Sequence, residues 1–97
     1  MEKIILVGRL AADAKETEIK GKKCLIFRIR KQDKKNKSVY RDYTCFMYSN
    51  YIHRQKYLVK DQRVSVVGNF VPSIYKKEDG DLQLNLTVNI YDFELED

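Results

Sequence analysis

Leu82-Gln83-Leu84-Asn85-Leu86-Thr87-Val88-Asn89-Ile90 alternates apolar and polar side chains without a break. A period of two puts the apolar set on one side of an extended chain and the amides and hydroxyl on the other, as in a strand whose sheet has one wet face. Asp79-Gly80 stands just before it, a strong hairpin signal. Further back, Val64, Val66, Gly68 and Phe70 alternate with Ser65, Val67, Asn69 and Val71 in another strand, extended by Ser73 to Lys77. Pro72 cannot donate a ladder hydrogen bond, so it marks an edge or a bulge. The C-terminal part of the chain is thus a long two-stranded hairpin.

Working outward to the N-terminus, Lys3 to Leu10 is a short apolar run with a bend expected at Gly8. A polar stretch with Gly21 as its turn signal follows. From Cys24 to Arg30, Leu25, Phe27 and Ile29 face one way, and Arg28 and Arg30 the other. The run Lys31 to Ser38 has no apolar residue and reads as a hairpin loop leading to a third strand, Val39 to Ser49. That strand is aromatic in both parity classes: Tyr40, Phe46 and Tyr48 in one, Tyr43, Cys45 and Met47 in the other. Period alone leaves open which class faces the core. The reading taken forward buries Tyr48 and leaves Tyr43 free. Tyr51, Ile52, Leu58 and Val59 recur at helical spacing behind Asn50, a good cap, and predict a helix of about two to three turns. Three strands, a helix and a final hairpin are the element order of an all-β, five-stranded OB-fold barrel with one short helix between strands three and four. With 97 residues and no linker or repeat, residues 1–97 read as a single domain.

Charge distribution narrows the function. Lys20 to Arg41 holds ten basic residues against one acid, Asp33, a net +9, while Glu78 to Asp97 holds seven acids and no base. A polyanion would approach the first part; a merely solvated Lys loop is the plain alternative. No apolar stretch reaches the roughly 20 residues that cross a bilayer, and the start lacks a secretory signal. Cys24 and Cys45 stand alone in strand-like runs, which fits a reducing cytoplasm better than a disulfide framework or a zinc site. His53 has no Cys, Asp or Glu at ligand or triad spacing and reads as a surface residue. Neither a phosphate-binding loop nor a nucleophile elbow is present. No catalysis, metal, cofactor or small-molecule substrate is expected.

Lys3-Ile4-Ile5-Leu6-Val7-Gly8-Arg9-Leu10, then Tyr57-Leu58-Val59-Lys60 and Val64-Ser65-Val66-Val67-Gly68, resemble in order and spacing the opening strand, helix end and fourth strand of the bacterial single-stranded DNA-binding proteins. The resemblance runs over nearly the whole chain. It places Tyr43 and Tyr75 where the family carries stacking Trp residues, and Lys34 with Lys35 where another Trp falls. A family Phe corresponds to Ser49, and a His of the family's subunit contact to Thr44. Family members continue into a flexible linker with an acidic, apolar tip; this chain ends at Asp97, and the expectation is a member without that tail. Asp92 to Asp97, with Phe93 and Leu95, is read as the end of the last strand more than as such a tip.

The reading from residues and resemblance together is single-stranded DNA binding and protection in replication, recombination, repair or mobile-element transfer, by a cytoplasmic homo-oligomer, dimer or tetramer. Arg28, Arg30, Lys31, Lys34, Lys35, Lys37 and Arg41 are the expected phosphate contacts, and Tyr43, Tyr75 and Tyr40 the stacking faces. Two alternatives remain: a tail-less replication restart factor like primosomal replication protein N, and a protein-interaction adaptor docking through the acidic C-terminal stretch.

Overall fold

In the computed structural model the described residues are 2–48 and 54–96. They form six strands: β1 (Glu2–Leu10), β2 (Lys15–Ile19), β3 (Lys22–Gln32), β4 (Tyr40–Tyr48), β5 (Arg63–Lys76) and β6 (Leu82–Glu96). The hairpin predicted from the Leu82–Ile90 alternation is β5–β6, paired from Arg63↔Glu96 out to Lys76↔Leu82. β3 and β4 form the second long antiparallel pair, and β4 runs parallel to β6 through Thr44↔Thr87, Cys45↔Val88 and Phe46↔Asn89. β1 pairs with β5 along its length and touches β3 at Arg9↔Arg30 and Leu10↔Ile29, which closes the sheet on itself. This is the OB-type barrel expected from the element order. It carries one strand more than expected, because the polar stretch Lys15–Ile19 folds back across Lys20-Gly21 onto the start of β3. Alternating charge hid that strand, since neither of its faces is apolar enough to signal burial.

Closure depends on Gly8. A Cβ there would lie 2.6 Å from Ile29 Cγ2 and 2.8 Å from the Arg30 carbonyl oxygen, so only glycine lets β1 come close enough to β3 while still paired with β5. On the neighbouring strand β5, Gly68 meets the Asn89 carbonyl, which any Cβ would overlap. Here the β5–β6 register slips: Val67 opposes Asp92 while Gly68 opposes Ile90, leaving Tyr91 as an extra residue. The bulge switches parity, so Ile90 and Phe93, three apart, are both buried. The C-terminal stretch is therefore strand to Glu96, anchored by Phe93.

The core is the inward set of the barrel: Leu6, Leu10, Leu25, Ile29, Met47, Leu58, Val64, Val66 and Val88 are fully buried. Each such side chain contributes about 1.5–3 kcal/mol relative to exposure. On β4 the buried class is Cys45 and Met47, with Tyr43 half-buried beside them, while Tyr40 and Tyr48 are exposed. The assignment of Tyr48 to the core is thereby corrected: it faces outward, since strand pairing of Leu25 with Met47 aligns the apolar side of β3 with the Cys45–Met47 class. The predicted helix begins at residues outside the described set, as do the Asn50 cap, Tyr51, Ile52, His53 and Ser49. Its described remainder is a single 3₁₀ turn over residues 54–57, after which Leu58 enters the core.

Candidate nucleic-acid interface

The seven-residue connection from β3 to β4 folds by its own hydrogen bonds. Asp33 Oδ1 accepts from the Lys35 amide at 2.9 Å, and Asn36 Oδ1 accepts from the Ser38 amide at 3.2 Å and the Ser38 hydroxyl at 2.6 Å. Gln32 Nε2 donates to the Lys37 carbonyl at 2.6 Å, and the Asp33 amide to the Val39 carbonyl at 2.9 Å. Asp and Asn side chains that bond two residues ahead are the chemistry of tight turns. They fix the loop and leave Lys34, Lys35 and Lys37 exposed on it.

Lys31, Lys34, Lys35, Arg41 and Tyr43 come together around a shallow hollow of about 270 Å³ at the root of this loop. Tyr43 forms its floor: one side of the ring packs against the core and meets Phe70 at 6.2 Å between centroids, at an interplanar angle of 57°. A second hollow, of about 500 Å³, lies on the other side of Lys31 and Gln32, where Arg30 and Tyr40 line it together with residues of β1 and the turn before β5. Tyr40 is 54% exposed.

Arg28, Arg30 and Tyr75 stand apart from the first hollow. Arg28 is exposed on the outer face of β3, opposite Thr44. Arg30 is opposite Asp42 and bound to it through both groups, Nε to Oδ1 at 3.0 Å and Nη2 to Oδ2 at 3.2 Å. The Arg30 hydrogen bond holds the Asp42 carboxyl below the usual carboxylate range, and the same bond raises Arg30. Arg30's charge is thus already partnered within the protein. Tyr75 sits far out on the β5–β6 arm, 47% exposed, its hydroxyl donating to Gln83 Oε1 at 2.8 Å. It shares a face with Ser73 and, across the ladder, Asn85, whereas Ile74 and Leu84 occupy the opposite, apolar face. Reading charge along the chain stopped one residue short of Asp42, and it did not join Arg9, Lys60 and Arg63 to the basic block, because strand pairing and not sequence distance brings them there.

Among the described residues no cluster of three or more His, Cys, Asp or Glu side chains could hold a metal ion, and no helix is long and apolar enough to cross a membrane. Both cysteines are free and buried.

A family model described as the single-strand binding protein family matches residues 1–95. Among solved structures, the chain is similar to a small single-stranded DNA-binding protein from Streptomyces coelicolor, with a TM-score of 0.78 at 16% identity over 98% of this chain and 94% of that one. It is also similar to Rim1, a mitochondrial single-stranded DNA-binding protein from S. cerevisiae, with a TM-score of 0.76 at 19% identity over 97% and 93% of the two chains. No curated protein matches in sequence.

Proposed function

The chain belongs to the single-strand binding protein family and binds single-stranded DNA, and from that premise we propose that the strand is held by the hollow at the root of the β3–β4 loop, with a base on Tyr43 and phosphates on Lys31, Lys34, Lys35 and Arg41. The observation that carries this reading is the convergence of four cations, against the one carboxylate Asp33, around a half-buried tyrosine. A flat ring gives sequence-tolerant stacking worth about 1–3 kcal/mol per base, and cations along its flank neutralise the adjoining backbone. Arg28 and Lys37 extend the positive field on either side, and Tyr75 offers a further stacking face on the arm. Arg30 contributes less than its charge implies, being held by Asp42.

The protein has seven Tyr and no Trp, so quenching of its intrinsic fluorescence by poly-dT reports tyrosine stacking directly. Replacing Lys34 and Lys35 together by Ala should lower the slope of log affinity against log salt by about 1.4, at about 0.7 per phosphate contact on a single strand. An unchanged slope would mean that the Lys loop is only a solvated turn.

A homo-oligomer is the assembly this surface supports. Among the described residues, β1 is paired on one edge only from residue 2 to residue 8, and Ile5, midway along it, is 74% exposed. An open edge with an apolar side chain invites pairing with another strand. Light scattering at tens of micromolar tests this, and a monomer there would reject it. Two buried free thiols suit a reducing, cytoplasmic setting, and the role that follows is protection of single strands during replication, recombination or repair.

A further inference from the structure

Strand register assembles a row of charges that the chain order conceals. Arg63 on β5 stands directly opposite Arg9 on β1, and Arg9 directly opposite Arg30 on β3. Asp42 lies beyond Arg30 and Glu96 beyond Arg63. The row across five strands therefore reads Asp42, Arg30, Arg9, Arg63, Glu96, with three arginines in the middle. Side chains directly opposite on paired strands have Cβ atoms about 4.5–5.5 Å apart, and like charges at that spacing destabilise a sheet. Arg30 is relieved by Asp42. Arg9 has arginine on both sides; its Nη1 donates to the Asp61 backbone carbonyl at 3.0 Å, which satisfies a donor and neutralises nothing. Among the described residues neither Arg9 nor Arg63 has a carboxylate within 4.0 Å, although Glu96 is next in register to Arg63.

The same three arginines line the larger hollow of about 500 Å³, joined there by Lys31, Lys60 and a single carboxylate, Asp61. Tyr40 is on its rim. Lys31 and Gln32 belong to this hollow and to the one under the Lys loop, so the two adjoin at the end of β3. An arginine fork matches the geometry of a phosphate, and a volume of this size falls within the range of ligand-binding clefts.

We propose that the hollow over Arg9 and Arg63 is a second nucleotide subsite, in which backbone phosphates of the bound strand neutralise the arginine row and a base stacks on Tyr40. The inference rests on the reading of the Tyr43 hollow as the primary site and extends it: the strand passes from Tyr43 over Lys31 to Arg9. The bound phosphates take the place of the missing counter-charge, so the row is a cost to the free protein that DNA removes.

The test compares wild type with Arg9→Gln combined with Arg63→Gln, by fluorescence anisotropy on labelled oligo-dT. Two lengths are used, about 4 and about 16 nucleotides, the ends of the range for one OB barrel. On the long strand the salt slope should fall by about 1.4, which is about 25-fold in affinity over the decade from 0.1 to 1 M salt. On the short strand, which fills only the Tyr43 hollow, variant and wild type should agree. Lys60→Ala, whose side chain makes no hydrogen bond or ion pair among the described residues, should give half the slope change and guards against misfolding of the double variant. Without DNA, the double variant should unfold at or above the wild-type temperature, since a repulsion has been removed.

Unchanged long-strand binding overturns the proposal, and so does an equal loss at both lengths. A loss seen only with 5′-phosphorylated strands also overturns it, and assigns the hollow to a terminal phosphate. Failure of wild type to bind either length would instead refute the primary site.

Discussion

Asp42→Asn should strengthen DNA binding. The carboxylate now occupies both the Nε and Nη2 groups of Arg30, at 3.0 and 3.2 Å. Asparagine keeps the shape and one acceptor and removes the charge, so the Arg30 fork becomes available to a phosphate. One more phosphate contact steepens the salt slope by about 0.7, or about fivefold in affinity for each tenfold drop in salt. A salt series by anisotropy on oligo-dT measures both quantities. The pH dependence supplies a second reading of the same pair. Because Arg30 holds the Asp42 carboxyl below its unfolded value, the ion pair stabilises the fold above the unfolded carboxylate pKa, and that contribution is lost as pH falls through the lower, folded value. The unfolding midpoints of wild type and variant should therefore differ at neutral pH and converge in acid. If Asp42→Asn binds with the wild-type slope, or more weakly at every salt concentration, Arg30 is a structural cation and does not reach the DNA.

The two tyrosines carried over as stacking faces should separate in behaviour. Tyr75→Ala should weaken poly-dT binding by about 1–3 kcal/mol, roughly 5- to 150-fold, with unfolding little changed, because the side chain is exposed on the arm, outside the core, and its hydroxyl bonds to Gln83. Tyr43→Ala should lose comparable affinity and also lower the urea midpoint, because its ring packs on Phe70 and the core; Tyr43→Leu should recover stability and not binding, and wild-type affinity in that variant would remove Tyr43 from the site. Burial pushes the Cys45 thiol up to about 12 and raises Cys24 above its ordinary value, so native protein at pH 8 should resist iodoacetamide and react at both positions in denaturant. Rapid native labelling, read by mass spectrometry, would contradict their burial.

The barrel was legible in the sequence because its signal is local. Alternation over Leu82 to Ile90 and over Cys24 to Arg30 sets the inner faces of two strands, and Asp79-Gly80 and Pro72 punctuate the arm. Wherever both parity classes are apolar, the local signal fails. On β4 neither class was distinguishable, and burial of Cys45 and Met47 was settled by pairing with Leu25 and Phe27 of β3, a contact between strands that no window on β4 contains. The parity switch in β6 was invisible for a related reason: the extra residue at Tyr91 is forced by the approach of Gly68 to Asn89, and only the partner strand reveals it.

The binding surface was legible in kind and not in extent, and the reason is electrostatic. A run such as Lys34, Lys35 and Lys37 announces itself because the charges are neighbours along the chain. A phosphate responds to charges that are neighbours in space, and in a closed barrel those come from residues 9, 30 and 63 as readily as from consecutive ones. Chain order therefore shows the loop and hides the seam between β1 and β3. It also counts Arg30 as free when Asp42 already holds it. The net +9 of Lys20 to Arg41 therefore points to a polyanion, while leaving out Asp42 beside Arg30 and the arginines at positions 9 and 63 that strand pairing brings alongside. If the strand follows the seam, the cations that set its salt dependence are those without a carboxylate partner among the described residues: Arg9, Arg63 and Lys60 in the larger hollow, Lys34, Lys35 and Arg41 in the smaller, and Lys31 between them.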